Sequence, residues 1–510
     1  MAGGTFFERH EGAASTPLGP RYSPRRPEKT LLHQVVCANL ETLLAQAREQ
    51  GDGAGLPAFV EKEFRRYVDC GCLARGFIRV QCARCGHEEV AGFSCKCRGF
   101  CPSCIARRMD DTAAHLVDRV LPLAPYRQWV LSLPFRLRLR LARNDELLAT
   151  MRRVFVAAVG RWQRRKAREL GLRGARTAVV CVTQRFDSLL RVNPHFHALV
   201  PDAVFVEGEE GRAELRAVPK PTQRDVESIV ERIARRVRAL LSRLDEDAEP
   251  EGALDRLRGQ QLELLCQPPE PKPGRLSARA EGFSLHAARH LHAHDRAGLE
   301  SLARYTLRPP VANSRLSRKG DGDLVLTLKR ALPDGREQLT LRPMELMQRL
   351  AGLVPRPRVH QIHYFGAFAS HAGLRARIVP RSPRRASWCS CPEEPAPGQL
   401  ELPLKPRPVA VPALAGDAHE VVKAPAPRRR VLDWASLLAR TFGDSLLECR
   451  CGGRRRIAAY VREPAKAEEL LEQLGIPAQQ PRLARARGPP QQELFEPSPV
   501  DAADPIYPDD

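Results

Sequence analysis

The nine residues Val-Asn-Pro-His-Phe-His-Ala-Leu-Val at 192–200 set two histidines two apart in an otherwise apolar stretch. On an extended strand, residues i and i+2 share a face. His195 and His197 then point one way and Phe196 the other. Neutral imidazole is the commonest protein metal ligand, but the same pair also suits a sheet interior, and local spacing leaves both readings open. A third polar group on a neighbouring strand would favour metal. The apolar stretch 177–186 is joined to the histidine strand by DSLLRVNP, and a hairpin folded about the middle of that connection sets Gln184 opposite His195. Its amide oxygen would complete a three-ligand site with positions left for phosphate oxygens and water. Alternatively Gln184 bonds the turn, and Asp187 and Asp202 compete for the third place.

Tyr305 lies in LESLARYTLRPP, between Arg304 and Arg308 and just before a Pro309-Pro310 helix stop. A phenol held on a helix can attack a phosphodiester whose phosphate a metal polarises. The products are a phosphotyrosine and a free 3′ hydroxyl, and the bond energy is kept for rejoining. The spacing with Leu299, Leu302 and Thr306 equally suits a core or interface tyrosine.

Eight of the 15 cysteines fall within residues 70–104. Cys82-x-x-Cys85 and Cys101-x-x-Cys104 are two knuckles separated by fifteen residues. Each such turn supplies one edge of a tetrahedron, so the two together read as one closed, structural four-thiolate zinc site. Cys70, Cys72, Cys95 and Cys97 either close a second site or lie beside the first. Arg84, Lys96, Arg98, Arg107 and Arg108 around them suit phosphate contacts, or form a solvated surface. Further on, Cys449 and Cys451 would need a far pair, with Cys389 and Cys391 as candidates. The run of His290, His292 and His294 is either metal-binding or an exposed helix start.

The elements that must position these groups follow from the rest of the 510-residue chain. Lys+Arg number 82 against 60 Asp+Glu, a formal charge of +22. This excess suits a polyanion, most simply nucleic acid. No apolar run reaches the roughly 20 residues that span a bilayer, and the N-terminus lacks a signal-peptide core. The expected location is the cytoplasm, on the nucleoid, with no membrane partner. Five divisions are expected: a disordered stretch at 1–30, a helical and cysteine-rich zinc-binding domain at 31–120, a catalytic domain at 121–380, a Pro/Arg-rich linker at 381–430, and a small C-terminal segment with a disordered tail at 431–510. Helices are expected over 31–67, 105–120, 147–170, 223–245, 253–266 and 295–308. Strands are expected over 129–142 (with its exit), 177–186 and 195–206, and on both sides of Pro333-Asp334-Gly335.

The ordered blocks GFIRVQCARC, FSCKCRGFCPSC, RRMDDTAAHLVDRVLP, RQWVLSLPF, VTQRF, NPHFHALVPDAVF, FSLHA, DRAGLESLARYTLRPPVANSRLS, LTLKR, RPMELMQRLAGLVPRPRVHQIHYFGAFA and LRARIVP resemble the IS91-type transposases, including the common-region elements, over residues 30–380, with an echo at 431–460. The resemblance implies an α+β fold: a ferredoxin-like HUH endonuclease palm, an antiparallel sheet with helices, preceded by a zinc-binding module. It implies cleavage and rejoining of single-stranded DNA at transposon ends through a 5′-phosphotyrosine, in rolling-circle-like transposition. The His-hydrophobic-His motif falls on His195-Phe196-His197 and the nucleophile on Tyr305. Zinc falls on Cys70, Cys82, Cys85, Cys95, Cys101 and Cys104, with Cys72 and Cys97 outside the pattern. Some relatives carry Y-x-x-x-Y; here Ser301 occupies the first place and leaves one tyrosine. The catalytic ion expected at His195, His197 and Gln184 is Mg²⁺ or Mn²⁺, inferred from phosphoryl chemistry, with Arg304 or Arg308 steadying charge. Other readings that share these residues are a rolling-circle replication initiator or relaxase and a non-enzymatic zinc-dependent DNA-binding protein. The chain has no GxxxxGK[ST] loop and no HExxH motif.

Overall fold

The computed structural model describes residues 25–50, 53–208, 213–243, 252–263, 274–329, 331–332, 335–380, 449, 451–477 and 480–487. Residues 1–24, the linker at 381–430 and Cys389 and Cys391 lie outside them.

Helices α1 (Leu31–Glu49) and α2 (Ala58–Val68) lead into a small hairpin of β1 (Phe77–Cys82) and β2 (Glu88–Gly92), and α3 (Pro102–Arg119) follows. β1 is the middle of a three-stranded antiparallel sheet. Its other neighbour is β15 (Arg455–Val461), which comes from the far end of the chain and is followed by α11 (Pro464–Gln473). The sequence division at residue 431 therefore separates strands that share one sheet.

The main sheet has seven antiparallel strands. Its order is β14 (Ile362–Gly366), β4 (Ala178–Phe186), β5 (Val192–Pro201), β3 (Tyr126–Ser132), β9 (Phe283–His286) and β8 (Ser277–Ala280), with β10 (His290–Leu291) also on β3. The register is what matters for chemistry. Gln184 and Val182 of β4 lie opposite His195 and His197 of β5, and Ser132 and Val130 of β3 flank them on the other side. Directly opposed residues share a face, so Gln184, His195 and His197 stand on one side of the sheet.

The other side is packed by α5 (Asp145–Glu169) and α6 (Gln223–Leu241). Phe196, fully buried, stacks on Phe155 of α5 with ring centroids 6.2 Å apart, and Trp129 meets Trp162. Both helices have well-made starts: Asn144 caps α5 through Leu147 N, and Thr222 with Asp225 forms a capping box on α6. The histidine side is covered by α3 and by α8 (Arg296–Leu307), through Ala113, Leu116, Leu299, Leu302 and Ala303 against Tyr126, Val180 and Leu199.

A second apolar core joins α1, α2 and the cysteine-rich loop to α7 (Gly252–Glu263), α9 (Pro343–Leu353) and the three-stranded sheet of β11 (Leu316–Arg318), β12 (Leu324–Thr327) and β13 (Gln338–Leu341). This core runs across the expected boundary at residue 120.

Two sequence expectations change. The stretch FRLRLRLA is helical rather than a strand exit, with α4 at Arg138–Arg143: Leu137 and Leu141 stand four apart on one helix face. The expected strand at 195–206 breaks at Asp202, and β6 (Ala203–Glu207) leaves to pair with β7 (Ala213–Ala217). A short α10 (Arg375–Ile378) closes the main body. No helix among the described residues is long and apolar enough to cross a membrane.

Candidate active site and metal centres

Each of the two histidines is held by a bond at Nδ1. His195 Nδ1 lies 2.8 Å from the Asn193 carbonyl oxygen. A carbonyl only accepts, so Nδ1 carries the proton and Nε2 keeps a lone pair for a metal. His197 Nδ1 lies 3.0 Å from the Gln128 side-chain nitrogen, and its Nε2 is buried without a hydrogen-bond partner. With the Gln128 amide turned end for end, the oxygen receives Nδ1–H and His197 takes the same tautomer as His195. The ring centroids are 4.9 Å apart. Burial lowers the His195 pKa, with Arg308 and Arg138 adding to the effect and the Asn193 bond opposing it. Burial, then His195 and Arg308, hold His197 well below the usual imidazole value. Both rings are thus neutral near neutral pH, the form that ligates metal.

Gln184, buried, donates its amide nitrogen to the Thr306 carbonyl at 3.4 Å, which leaves its oxygen as the end available to a cation. The two competing carboxylates are occupied elsewhere. Asp187 binds Arg191 Nε at 2.6 Å and accepts from the Leu189 amide, so it builds the hairpin turn. Asp202 forms a buried two-pronged pair with Arg127, at 3.0 and 2.7 Å. His290 sits 3.5 Å from the same carboxylate and 5.1 Å, ring to ring, from His292.

Tyr305 is 42% exposed, although Leu302 and Thr306 on either side of it are buried. It is therefore not a core tyrosine. Its ring meets His197 edge to face, with centroids 6.2 Å apart. The Pro309-Pro310 stop forces Arg308 into extended backbone (φ −57°, ψ 153°), and its guanidinium comes back over the Tyr305 ring, 4.3 Å from the centroid. Arg308 Nη1 is buried without a hydrogen-bond partner, as is Arg315 Nη2. Lys329 joins them: burial, then Arg308 and Arg315, lower its pKa, while Tyr305 raises it. Arg308 lies over the phenol, and Arg315 and Lys329 are its electrostatic neighbours, so positive charge gathers here, which suits a phosphate.

Arg304 faces the other way. It pairs with Asp110 of α3 at 2.9 Å and with Glu300 at 2.8 Å, pinning α8 to α3. Its charge is already met by two carboxylates, whereas Arg308 keeps an unused donor beside the ring. Arg315, Lys329 and Gln128 have no signature in the sequence. Only the fold brings Gln128 to His197 and gathers Arg315 and Lys329 around Arg308.

The cysteines are paired differently from the sequence reading. Cys70, Cys95, Cys101 and Cys104 converge in one cluster, and Cys82, Cys85, Cys449 and Cys451 in another, with ligand atoms all within 4.8 Å of one another in each. In the first, Sγ separations are 3.7 Å (Cys70–Cys101), 3.6 Å (Cys70–Cys104) and 3.4 Å (Cys95–Cys104). A tetrahedral zinc with Zn–S of about 2.3 Å has an S–S edge of roughly 3.8 Å, so four thiolates fit the ion. The two C-x-x-C knuckles thus belong to different clusters, not to one. Cys72 and Cys97 stand outside both, Cys97 facing the Glu63 carbonyl at 3.7 Å. Four of the basic residues named from sequence, Arg84, Lys96, Arg107 and Arg108, are exposed. Arg98 is half-buried, bonds the Val359 carbonyl, and lines a cleft with Gln184, Arg185, Thr306 and Arg308. The cleft runs between the cysteine-rich loop and the histidine face of the sheet.

Comparison with known families gives two matches. Residues 178–375 match the family model described as "Putative transposase" (Y2_Tnp), and residues 40–133 match the "Transposase zinc-binding domain" (Zn_Tnp_IS91). No curated protein and no solved structure matches the chain. The first stretch holds Gln184, His195, His197 and Tyr305; the second holds the whole Cys70–Cys95–Cys101–Cys104 cluster.

Proposed function

From the premise that this chain belongs to the IS91-type transposases, DNA-processing enzymes with a zinc-binding domain, we propose that it cuts and rejoins single-stranded DNA at element ends through a 5′-phosphotyrosine on Tyr305. The observation that carries the reading is the meeting of three groups from separate elements: the paired neutral imidazoles of β5, the exposed phenol of α8, and the half-buried Arg308 guanidinium with an unused Nη1 donor. We read the main sheet with its flanking helices as an HUH-type palm.

In this reading His195, His197 and Gln184 hold a divalent ion, Mg²⁺ or Mn²⁺. The unpartnered Nε2 of His197 and the uncommitted oxygen of Gln184 suit a cation there. When bound, the ion polarises the scissile phosphate. Tyr305 Oη attacks phosphorus; the Oη–P bond forms as the P–O3′ bond breaks, the phenolic proton leaves, and the 3′ oxygen takes up a proton. Lys329, whose charge is coupled to the phenol, favours that proton loss. Arg308 and Arg315 meet the charge that builds on the phosphate oxygens, held in place before the reaction begins. Arg98 and the exposed Arg84, Lys96, Arg107 and Arg108 bind the phosphates of the strand as it enters, so affinity falls steeply with salt. One tyrosine serves one cleavage at a time.

The test is the form of the products. With Mg²⁺ or Mn²⁺, single-stranded oligonucleotides carrying an element end should give a free 3′ hydroxyl and a protein-linked 5′ end. Cleavage that requires duplex DNA and leaves free 5′ phosphates would overturn the reading.

A further inference from the structure

The cluster of Cys82, Cys85, Cys449 and Cys451 includes two residues that lie outside both family matches, and it joins positions 364 and 369 apart in the chain. Cys82 and Cys451 sulfurs are 3.5 Å apart, as are those of Cys85 and Cys449. Both separations far exceed the roughly 2.05 Å of a disulfide and approach the roughly 3.8 Å edge of a zinc tetrathiolate.

The surrounding backbone is shaped to match. The Arg84 amide donates to Cys82 Sγ and the Gly453 amide to Cys451 Sγ, each at 3.4 Å. Such bonds stabilise thiolate over thiol. Gly453 also has to be glycine: a Cβ there would lie 2.8 Å from Cys82 Sγ and 3.1 Å from Cys451 Sγ. Gly452, at φ +74°, turns the chain between the two. The Arg84 side chain reaches across to the Cys451 carbonyl at 3.0 Å.

The fold explains why a clasp is needed. The apolar core under β15 and α11 consists of Phe77, Val90, Val461, Ala467 and Leu471 with a few half-buried neighbours. So small a core does not hold a separate segment by itself, and small modules are commonly stapled by metal. A part-buried ion pair, Arg455 to Glu89 at 2.9 Å, adds to it.

We propose that these four cysteines hold a second structural zinc, which clasps the C-terminal segment of β15 and α11 onto the N-terminal hairpin of β1 and β2. The clasp also brings the exposed Arg454 and Arg456 alongside Arg84, extending the basic surface of the zinc module.

The experiment is zinc stoichiometry on the full chain, with no DNA present. Wild type should carry two zinc ions, and the double variant Cys449→Ser/Cys451→Ser should carry one. In the double variant, hydrogen exchange should rise over residues 455–473 and stay unchanged over α5 and α6. A control, Cys389→Ser/Cys391→Ser, should retain two zinc ions. The proposal is overturned if wild type binds one zinc, if the 449/451 variant keeps two with unchanged exchange, or if the 389/391 variant is the one that drops to one. Because the readout is metal content and local exchange, it stands or falls apart from any result on DNA cleavage.

Discussion

His197 and Tyr305, from a central strand and a distant helix, meet edge to face with their ring planes at 88° and their centroids 6.2 Å apart. The contact exists because α8 buries Leu299, Leu302 and Ala303 against the sheet and so turns the next residues of its last turn toward the histidines. Replacing His197 by Ala removes one side of that contact and the unpartnered Nε2. Metal-dependent cleavage should fall about a hundredfold or more, since polarisation by a bound ion contributes several kcal/mol. DNA binding measured without metal should be unchanged. Equal cleavage by wild type and His197→Ala would remove the ion from His197.

The two arginines beside the tyrosine should separate cleanly. Arg308 stacks over the phenol and keeps an unused buried donor, so Arg308→Ala should slow cleavage about a hundredfold with little loss of stability. Arg304 is committed to Asp110 and Glu300. Arg304→Ala should lower stability by about 1–2 kcal/mol after allowing for its partial exposure. Cleavage per folded molecule should stay near wild type. Denaturant unfolding and single-turnover kinetics on both variants decide this, and the reverse pattern would return Arg304 to the chemistry.

Phe196, between the histidines, is a packing residue. It is fully buried against Phe155 in the core under α5 and α6. Phe196→Ala should destabilise the fold by about 3–5 kcal/mol, transfer loss and cavity combined. Urea unfolding of the isolated variant measures it, and a change under about 1 kcal/mol would place the side chain outside the core.

How far the site could be read in advance depended on whether local rules set it. The register of Gln184 against His195 follows from a short connection between two apolar runs, and alternation then puts Phe196 on the opposite face. The end of α8 follows from Pro309 and Pro310. The cysteine pairing does not follow, because a C-x-x-C turn fixes one edge of a tetrahedron and says nothing about which distant pair supplies the other. Cys82 and Cys85 take partners from beyond residue 440, brought there by a strand that pairs with β1. Arg315 and Lys329 were hidden for the same reason: they flank strands β11 and β12 of a separate small sheet, which the fold brings up to Arg308. Short strands such as β8, β9 and β14 owe their existence to neighbours in the main sheet rather than to their own four or five residues.

The central claim is that Tyr305 is the nucleophile, and the covalent adduct tests it most directly. Wild-type protein incubated with single-stranded element-end DNA and Mn²⁺ should form a protein–DNA species stable to denaturing electrophoresis. Peptide mapping should place the phosphodiester link on Tyr305, and Tyr305→Phe should form none. An adduct that persists in Tyr305→Phe, or that maps to Tyr364 on the edge strand β14, would contradict the account.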